Sequence, residues 1–425
     1  MSHHSHLTLD TLPDDVFAIL LEYLRTTDIL KLEQCNQRLY SVARLYWHNI
    51  RQLSLVAFMK ARGSFDVSTC HRFDIAASGL IRRVGAHLRQ LDLSDFGPLE
   101  YGMRAGLEQT ILTHCTRLHS LVIKKRLLER DWFLELANTV APTLQHATLS
   151  MLHMRGFGSL DDRTLREWVQ NLRNLETLDV RNNPRLSLAD VSLPSSLLSL
   201  DCRANRAMSE RGYTSVFKSC PRLQTLRMTY HPLGAVPFSC LSSLRTLYID
   251  TASTTTQLTM PFLASLCDLT NVRDLTVSSQ LLCHHLLDAL CSNAHLRLLD
   301  RLAFEGPVSP SMAASAVPTA VHAFAVNLPK LRHFCCRGSR DLALAALEHL
   351  HEFRCLQSLD VSYSLKFLEL TDDFWTLIQS DSLRTLLWRA IVPPRSGKMR
   401  AELAQTLVLQ RLALQCPKLV DVVVK

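Results

Sequence analysis

The sequence predicts an α/β repeat solenoid, with parallel strands on a concave face and helices or loops on a convex face, behind a small all-α amino-terminal domain. Three observations point there. A phrase of the form Leu-x-x-Leu-x-Leu recurs from Ile50 to Val424. Several segments between the phrases carry apolar residues at helical spacing. Residues 12–47, ahead of the repeats, follow another pattern: an apolar helix started by Pro13, a polar turn, then a second apolar helix. The boundaries that follow are a flexible tail at 1–7, a three-helix domain at 8–49 and a solenoid at 50–425 with insertions at 306–319 and 393–400.

The tail has neither the basic nor the apolar region of a signal peptide, and it lacks the Arg of a mitochondrial leader. His3, His4 and His6 can bind metal there opportunistically. In the first helix, Pro13 at the start loses no needed N–H. Asp14 and Asp15 place negative charge in the first turn, where it suits the helix dipole. Val16, Phe17, Leu20, Leu21, Tyr23 and Leu24 make most of the helix surface apolar. Arg25-Thr26-Thr27-Asp28 breaks the helix, and Thr27 or Asp28 is expected to cap the next one.

The repeat begins with an early copy, Ile50-Leu53-Leu55, and then Leu88-Leu91-Leu93. Leu118-Leu121-Ile123, the weak copy Leu144-Ala147-Leu149, Leu175-Leu178-Val180 and Leu197-Leu200-Cys202 follow. Next come Leu223-Leu226-Met228, Leu244-Leu247-Ile249, Val272-Leu275-Val277 and Leu299-Leu302-Phe304. Leu331-Phe334-Cys336, Leu356-Leu359-Val361, Leu383-Leu386-Trp388 and Leu419-Val422-Val424 complete the set. Each phrase predicts a short strand whose alternate residues point to a shared core. No unit can bury its own apolar face, so neighbours must stack. This is the pattern of the leucine-rich repeat. Ser209–Ser219, Leu281–Cys291 and Asp341–His351 have helical spacing, whereas the returns holding Pro194, or Pro232 and Pro237, should not be helical. The consensus Asn after the strand occurs as Asn183 and Asn205. The last strand ends the array, and its edge is expected to be covered by the basic loop at 393–400 or by a partner.

The two residues flanking the last apolar position of each phrase should face the concave side. They include Asp179, Arg181, Asp201, Arg203, Arg227, Tyr248, Asp250, Arg337 and Arg389. Arg181, Arg203 and Arg227 fall in consecutive repeats, so a basic ladder with strands about 5 Å apart is expected. It suits an acidic peptide, a phosphate group or another carboxylate, which Arg binds in bidentate fashion. Pairing with Asp179 and Asp201 would instead leave a solvated, self-neutralised face.

Composition excludes several classes. The chain has 425 residues, 47% hydrophobic and 20% charged, an ordinary globular balance with room for more than one domain. No apolar run reaches the roughly 18 residues that span a bilayer. The nearest stretch, residues 312–328, is interrupted by Pro318 and His322. The 13 cysteines are odd in number and scattered, which suits free thiols in a reducing compartment. A net charge of +8 favours acidic partners but is too diffuse to specify nucleic acid. No phosphate-binding glycine loop and no His-Glu-x-x-His occurs. Cys283-His284-His285 lies on a helix, where neighbours point about 100° apart and cannot all face one ion. Cys335 and Cys336 should face opposite sides of a strand. No nucleophile, base and orienting group can be assembled, so no enzyme activity, cofactor or metal is expected.

The amino-terminal motifs resemble those of the F-box. Leu12-Pro13, Leu20-Leu21, Tyr23-Leu24 and Asp28-Ile29-Leu30 stand where that family has Leu-Pro, an Ile/Leu-rich helix ending Tyr-Leu, and Asp-Leu-Leu. Farther on, where the family has Val-Cys and then Trp, this chain has Cys35-Asn36 and Leu39. Cys220-Pro221-x-Leu223 and Cys416-Pro417-x-Leu419 resemble the cysteine-containing repeats typical of F-box proteins. The resemblance implies a substrate receptor of a Skp1–cullin–F-box ubiquitin ligase, in the cytoplasm or nucleus. A Skp1-like adaptor would contact Leu12, Pro13, Val16, Leu20, Leu24, Ile29 and Leu30 and link the chain to a cullin, while the repeats hold a protein target, acidic or phosphorylated. The alternative is a protein-interaction scaffold without a ubiquitin role, with ribonucleoprotein partners and with the amino-terminal helices as a cap over the repeats.

Overall fold

The computed structural model describes residues 12–61, 70–94, 105–156, 158–231, 234–251, 258–293, 295–307, 316–364, 378–388 and 414–424. The chain divides into two compact units, one of Met1–Leu197 with Asn205–Ala207 and the other of Leu198–Ala204 with Met208–Lys425. The amino-terminal helices thus belong to the same unit as the first repeats.

The first unit opens with α1 (Asp14–Tyr23), α2 (Thr26–Leu32) and α3 (Gln37–Asn49). Pro13 is the extended residue just before α1, and its carbonyl accepts the Phe17 N–H at 2.9 Å. Helix α2 starts two to three residues earlier than its polar sequence suggests. Arg25 is the extended cap, its carbonyl accepting from Asp28 and Ile29, so Thr27 and Asp28 lie inside the first turn. Asn36, where the sequence departs from the F-box pattern, caps α3: its Oδ1 accepts the Leu39 N–H at 2.8 Å. The other departure, Leu39, is buried with Val42, Ala43, Tyr46 and Trp47.

The repeats of this unit are β1 (Gln52–Ser54), α4 (Leu55–Ala61), α5 (Cys70–Val84), β2 (Gln90–Asp92), α6 (Ala105–His114) and β3 (Ser120–Leu128). They continue with α7 (Arg130–Val140), β4 (His146–Met154), β5 (Gly158–Ser159), α8 (Asp162–Val169) and β6 (Thr177–Asp179). Strands β1, β2, β3, β4 and β6 pair in parallel in that order, and β5 pairs antiparallel with β4. The first phrase stops short as a strand, because Leu55 begins α4 while staying buried. Gly85 lets α5 and α6 approach: a Cβ there would sit 2.7 Å from the His114 Cβ.

The second unit holds β7 (Ser199–Asp201), α9 (Glu210–Ser219), β8 (Thr225–Tyr230), β9 (Thr246–Thr251), α10 (Met260–Leu266), β10 (Asp274–Ser278) and α11 (His284–Ser292). It ends with β11 (Arg301–Glu305), α12 (Ala316–Asn327), β12 (His333–Cys335), α13 (Arg340–Glu348), β13 (Ser358–Asp360), β14 (Thr385–Trp388) and β15 (Asp421–Val424). These nine strands pair in parallel in chain order. The expected insertion at 306–319 is shorter than its composition suggests, since α12 begins at Ala316 and carries Pro318 in its first turn, where a missing N–H costs nothing. Residues 393–400 lie outside the described residues, as does any cover they give the last strand. Val420, just before that strand, is 80% exposed.

Within each unit the middle residue of every phrase stands directly beside its counterpart. Leu53 pairs with Leu91, Leu91 with Leu121 and Ala147 with Leu178. Leu200 pairs with Leu226, Leu302 with Phe334 and Leu386 with Val422. From Leu88 to Trp388 all three phrase residues are buried in each copy, so the consensus reads directly as the core. Aromatic side chains fill the space between strands and returns. Phe133 stacks on Trp168 at 5.4 Å in the first unit, and Phe304 stacks on Phe324 at 5.7 Å in the second. The chain leaves five strands through a left-handed residue placed four after the middle residue, Asn182, Ala204, Gly306, Gly338 and Tyr363, and β3 and β4 carry one at the same place inside the strand, Lys125 and Met151. Among the described residues, no helix is long and apolar enough to cross a membrane.

Candidate functional site

Helix α1 has two apolar faces. Phe17 and Leu21, one turn apart, are buried. Val16, Ile19, Leu20 and Tyr23 also follow helical spacing, yet they are 40%, 57%, 40% and 83% exposed. Beside them lies a groove of about 490 Å³ lined by Phe17, Leu20, Tyr23, Leu24, Leu32 and Cys35, with Asp28 and Lys31 also on its wall. Of the residues expected at an adaptor contact, Pro13, Val16 and Leu20 are exposed, and Leu12, Leu24 and Leu30 are half-buried. Ile29 is the exception: it is fully buried. It belongs to the core rather than to a contact surface, because on α2 it takes the inward position of its turn. Ile19 and Tyr23 were not expected at the contact, although the 16-19-20-23 spacing signals them.

The opposite side of these helices is fixed to the first repeat. Glu33, just after α2, accepts the Trp47 indole N–H and lies 3.0 Å from the Arg83 guanidinium on α5. The exposed stripe is therefore carried on a braced platform.

The strand-end row differs from a free basic ladder. Arg181 Nε lies 3.2 Å from Asp179 Oδ2 in the first unit. In the second unit Arg203 donates from two nitrogens to Asp201, at 3.0 and 2.8 Å. The Arg203 guanidinium also lies over the Tyr248 ring, 4.7 Å from its centroid. The Tyr248 hydroxyl in turn donates to Glu305 at 3.2 Å. Burial, then Asp250 and Glu305, push the Tyr248 hydroxyl up to about 12. Arg337 lies 2.6 Å from Asp360. Burial raises the Asp360 carboxyl, but hydrogen bonds from Ser362 and Arg337 outweigh it and hold the group below its ordinary value.

These aspartates also build the turns. Oδ1 of Asp92, Asp179, Asp201 and Asp360 accepts the backbone N–H two residues on. Their role is local, which is why the neighbouring arginines arrive already paired. Arg227 is exposed and makes no ion pair among the described residues, its charge reaching the Asp274 carboxyl only without direct pairing. Asp250 accepts the Thr251 N–H at 2.8 Å. Arg389 lies outside the described residues.

A further polar group stands on the return side. His322 on α12, His349 at the end of α13 and Glu352 in the turn after it bring one ligand atom each within 4.8 Å of one another. Sequence reasoning missed them, because they lie a repeat apart and meet only through stacking. Cys335 and Cys336 are both buried despite alternating directions. Burial first, then Asp360, pushes the Cys335 thiol up to about 11, so it is not a reactive thiol.

No protein family matches the sequence, and no curated protein matches it. Among solved structures, the chain is similar to an internalin of Listeria monocytogenes at 17% identity and a TM-score of 0.39, over 76% of this chain and 84% of that one. It is also similar to a chain of the Rad7 and Elc1 complex of yeast at 14% identity and a TM-score of 0.44, over 93% of this chain and 92% of that one.

Proposed function

We propose that this leucine-rich-repeat protein is the substrate-recognition subunit of a Skp1–cullin–F-box-type ubiquitin ligase. Residues 8–49 dock a Skp1-like adaptor, and through it a cullin, while the repeats capture a protein target. The observation that carries this reading is the exposed stripe of Val16, Ile19, Leu20 and Tyr23 on a helix whose other face is already buried. Apolar residues at helical spacing that no other described residue covers suit insertion into a partner's groove. Leu12, Pro13, Leu24 and Leu30 flank the stripe and complete the contact. The receptor does no chemistry itself. It raises the effective concentration of the target near the ligase machinery, and the brace of Glu33, Trp47 and Arg83 holds the adaptor-binding helices to the first repeat.

The target contact is the strand-end row, where Arg227 offers an exposed guanidinium and the Asp201–Arg203–Tyr248–Glu305 chain offers a preorganised polar surface. An acidic or phosphorylated segment is the complementary partner. This reading places the protein in the cytoplasm or nucleus. Affinity purification of the tagged chain tests it: adaptor and cullin should be recovered with wild type and lost with Leu20→Glu plus Tyr23→Glu.

A second reading is favoured by the same brace. The helices cover the first repeat, as a cap would, and the chain serves as a scaffold outside the ubiquitin system. Recovery of ribonucleoproteins without adaptor or cullin would support it.

A further inference from the structure

We propose that His322, His349 and Glu352 form a binding site for a divalent transition-metal ion of the Zn²⁺ class, clamping two successive return segments of the second unit. His322 Nδ1 lies 2.6 Å from Glu352 Oε2, and His349 Nδ1 lies 2.9 Å from Oε1. One carboxylate thus meets an imidazole on each oxygen, with the two ring centroids 5.7 Å apart. An ion with bonds of about 2.0–2.1 Å needs ligand atoms about 3.3 Å apart. The two hydrogen-bonded pairs would each widen by less than about 1 Å, while the ligand atoms as a set, now within 4.8 Å of one another, would draw in around the ion.

The donor set fits that ion class. Imidazole and carboxylate together suit Zn²⁺ and its neighbours rather than Ca²⁺ or Mg²⁺, which prefer oxygen alone. His351 is a fourth donor within reach, its Nε2 3.9 Å from Glu352 Oε1. The His322 side chain is 54% exposed, so an ion can reach the group from solvent. Arg354 lines the same recess, and an open coordination position beside a guanidinium favours water or an anion as the last ligand. His322 and Glu352 are 30 residues apart in the chain, so a shared ion would lock α12 to the turn after α13.

The test uses the full chain with His3, His4 and His6 changed to Ala, which removes the competing tail. Calorimetric titration with Zn²⁺ under reducing conditions should give one saturable site. His322→Ala, His349→Ala and Glu352→Gln should each weaken it at least about tenfold. Glu352→Gln keeps hydrogen-bonding partners for both imidazoles, and circular dichroism checks that each variant is folded. Co²⁺ at the site should show no thiolate charge-transfer band. Absence of saturable binding in the tail-substituted chain would overturn the proposal. So would an affinity unchanged by Glu352→Gln in a folded variant, or a thiolate band that assigns the ion to cysteine.

Discussion

Replacing Asn183 by Ala should cost far more stability than replacing Asn205, although both are consensus asparagines and both are fully buried. Asn183 Oδ1 accepts the Leu152 N–H at 2.9 Å. Its Nδ2 donates to the Leu149 and Val180 carbonyls at 2.7 and 2.8 Å. Ala would strand one buried N–H and leave two carbonyls short of a donor. An unsatisfied buried group costs about 1–3 kcal/mol and a satisfied bond is worth about 1 kcal/mol net, so the loss is about 3–4 kcal/mol. Asn205 Oδ1 accepts one bond, from the Asn183 N–H at 2.8 Å, and its Nδ2 has no partner among the described residues. Asn205→Ala should therefore cost about 1–2 kcal/mol. The gap of about 2 kcal/mol is a factor of roughly 30 in the folding equilibrium. Urea unfolding followed by tryptophan fluorescence measures it, since Trp47, Trp132 and Trp168 are buried in the first unit. Exchange of the Leu152 amide gives a site-specific check. Equal losses in the two variants, or a loss under 1 kcal/mol for Asn183→Ala, would refute the reasoning.

Four further outcomes are expected. Glu108 is buried, and burial, then Glu129, raises its carboxyl to about 7, against the pull of Arg155. Its contribution is thus favourable below about pH 4.5 and lost as pH rises through about 7, so Glu108→Gln should gain up to about 3 kcal/mol at pH 8 and almost nothing at pH 4 in urea melts. Arg203→Ala should cost about 2 kcal/mol and Arg181→Ala under 1 kcal/mol by thermal unfolding, because Arg203 is paired twice and lies on Tyr248, while Arg181 is over a third exposed. Ala204→Gly should stabilise by up to about 1 kcal/mol in denaturant titration, since Ala204 sits at φ +56° and Gly relieves it. Gly85→Ala should destabilise by about 1–3 kcal/mol in the same assay, because the new methyl meets His114.

The repeat was legible because its signal is the core itself. From Leu53 to Leu386 each middle phrase residue is buried and stands beside its neighbours within its unit, so periodicity and packing carry the same information. The turns were less legible. Ala204 and Tyr363 in turns, and Lys125 and Met151 inside strands, hold left-handed backbone without the Gly or Asn that would announce it, since the fold imposes the bend whatever the side chain. Of the two readings of the arginine row, the self-paired one holds for Arg181 and Arg203, which Asp179 and Asp201 neutralise locally, while Arg227 makes no ion pair among the described residues. Ile29 was placed on the surface by consensus alone, and its burial depends on α2 packing against α3. Ile19 and Tyr23 carry a spacing signal, but deciding which of two apolar faces stays exposed requires the neighbouring helices. The His322–His349–Glu352 group has almost no local signature, because residues a repeat apart become neighbours only when the repeats stack.

The measurement that tests the central claim most directly is calorimetric titration of the purified full chain with a purified Skp1-like adaptor. A saturable complex of one adaptor per chain is expected. Leu20→Glu plus Tyr23→Glu should abolish it, while Arg227→Ala, on the strand-end row, should leave it unchanged. No binding by the folded wild-type chain would contradict the account, as would full binding by the Leu20→Glu plus Tyr23→Glu variant.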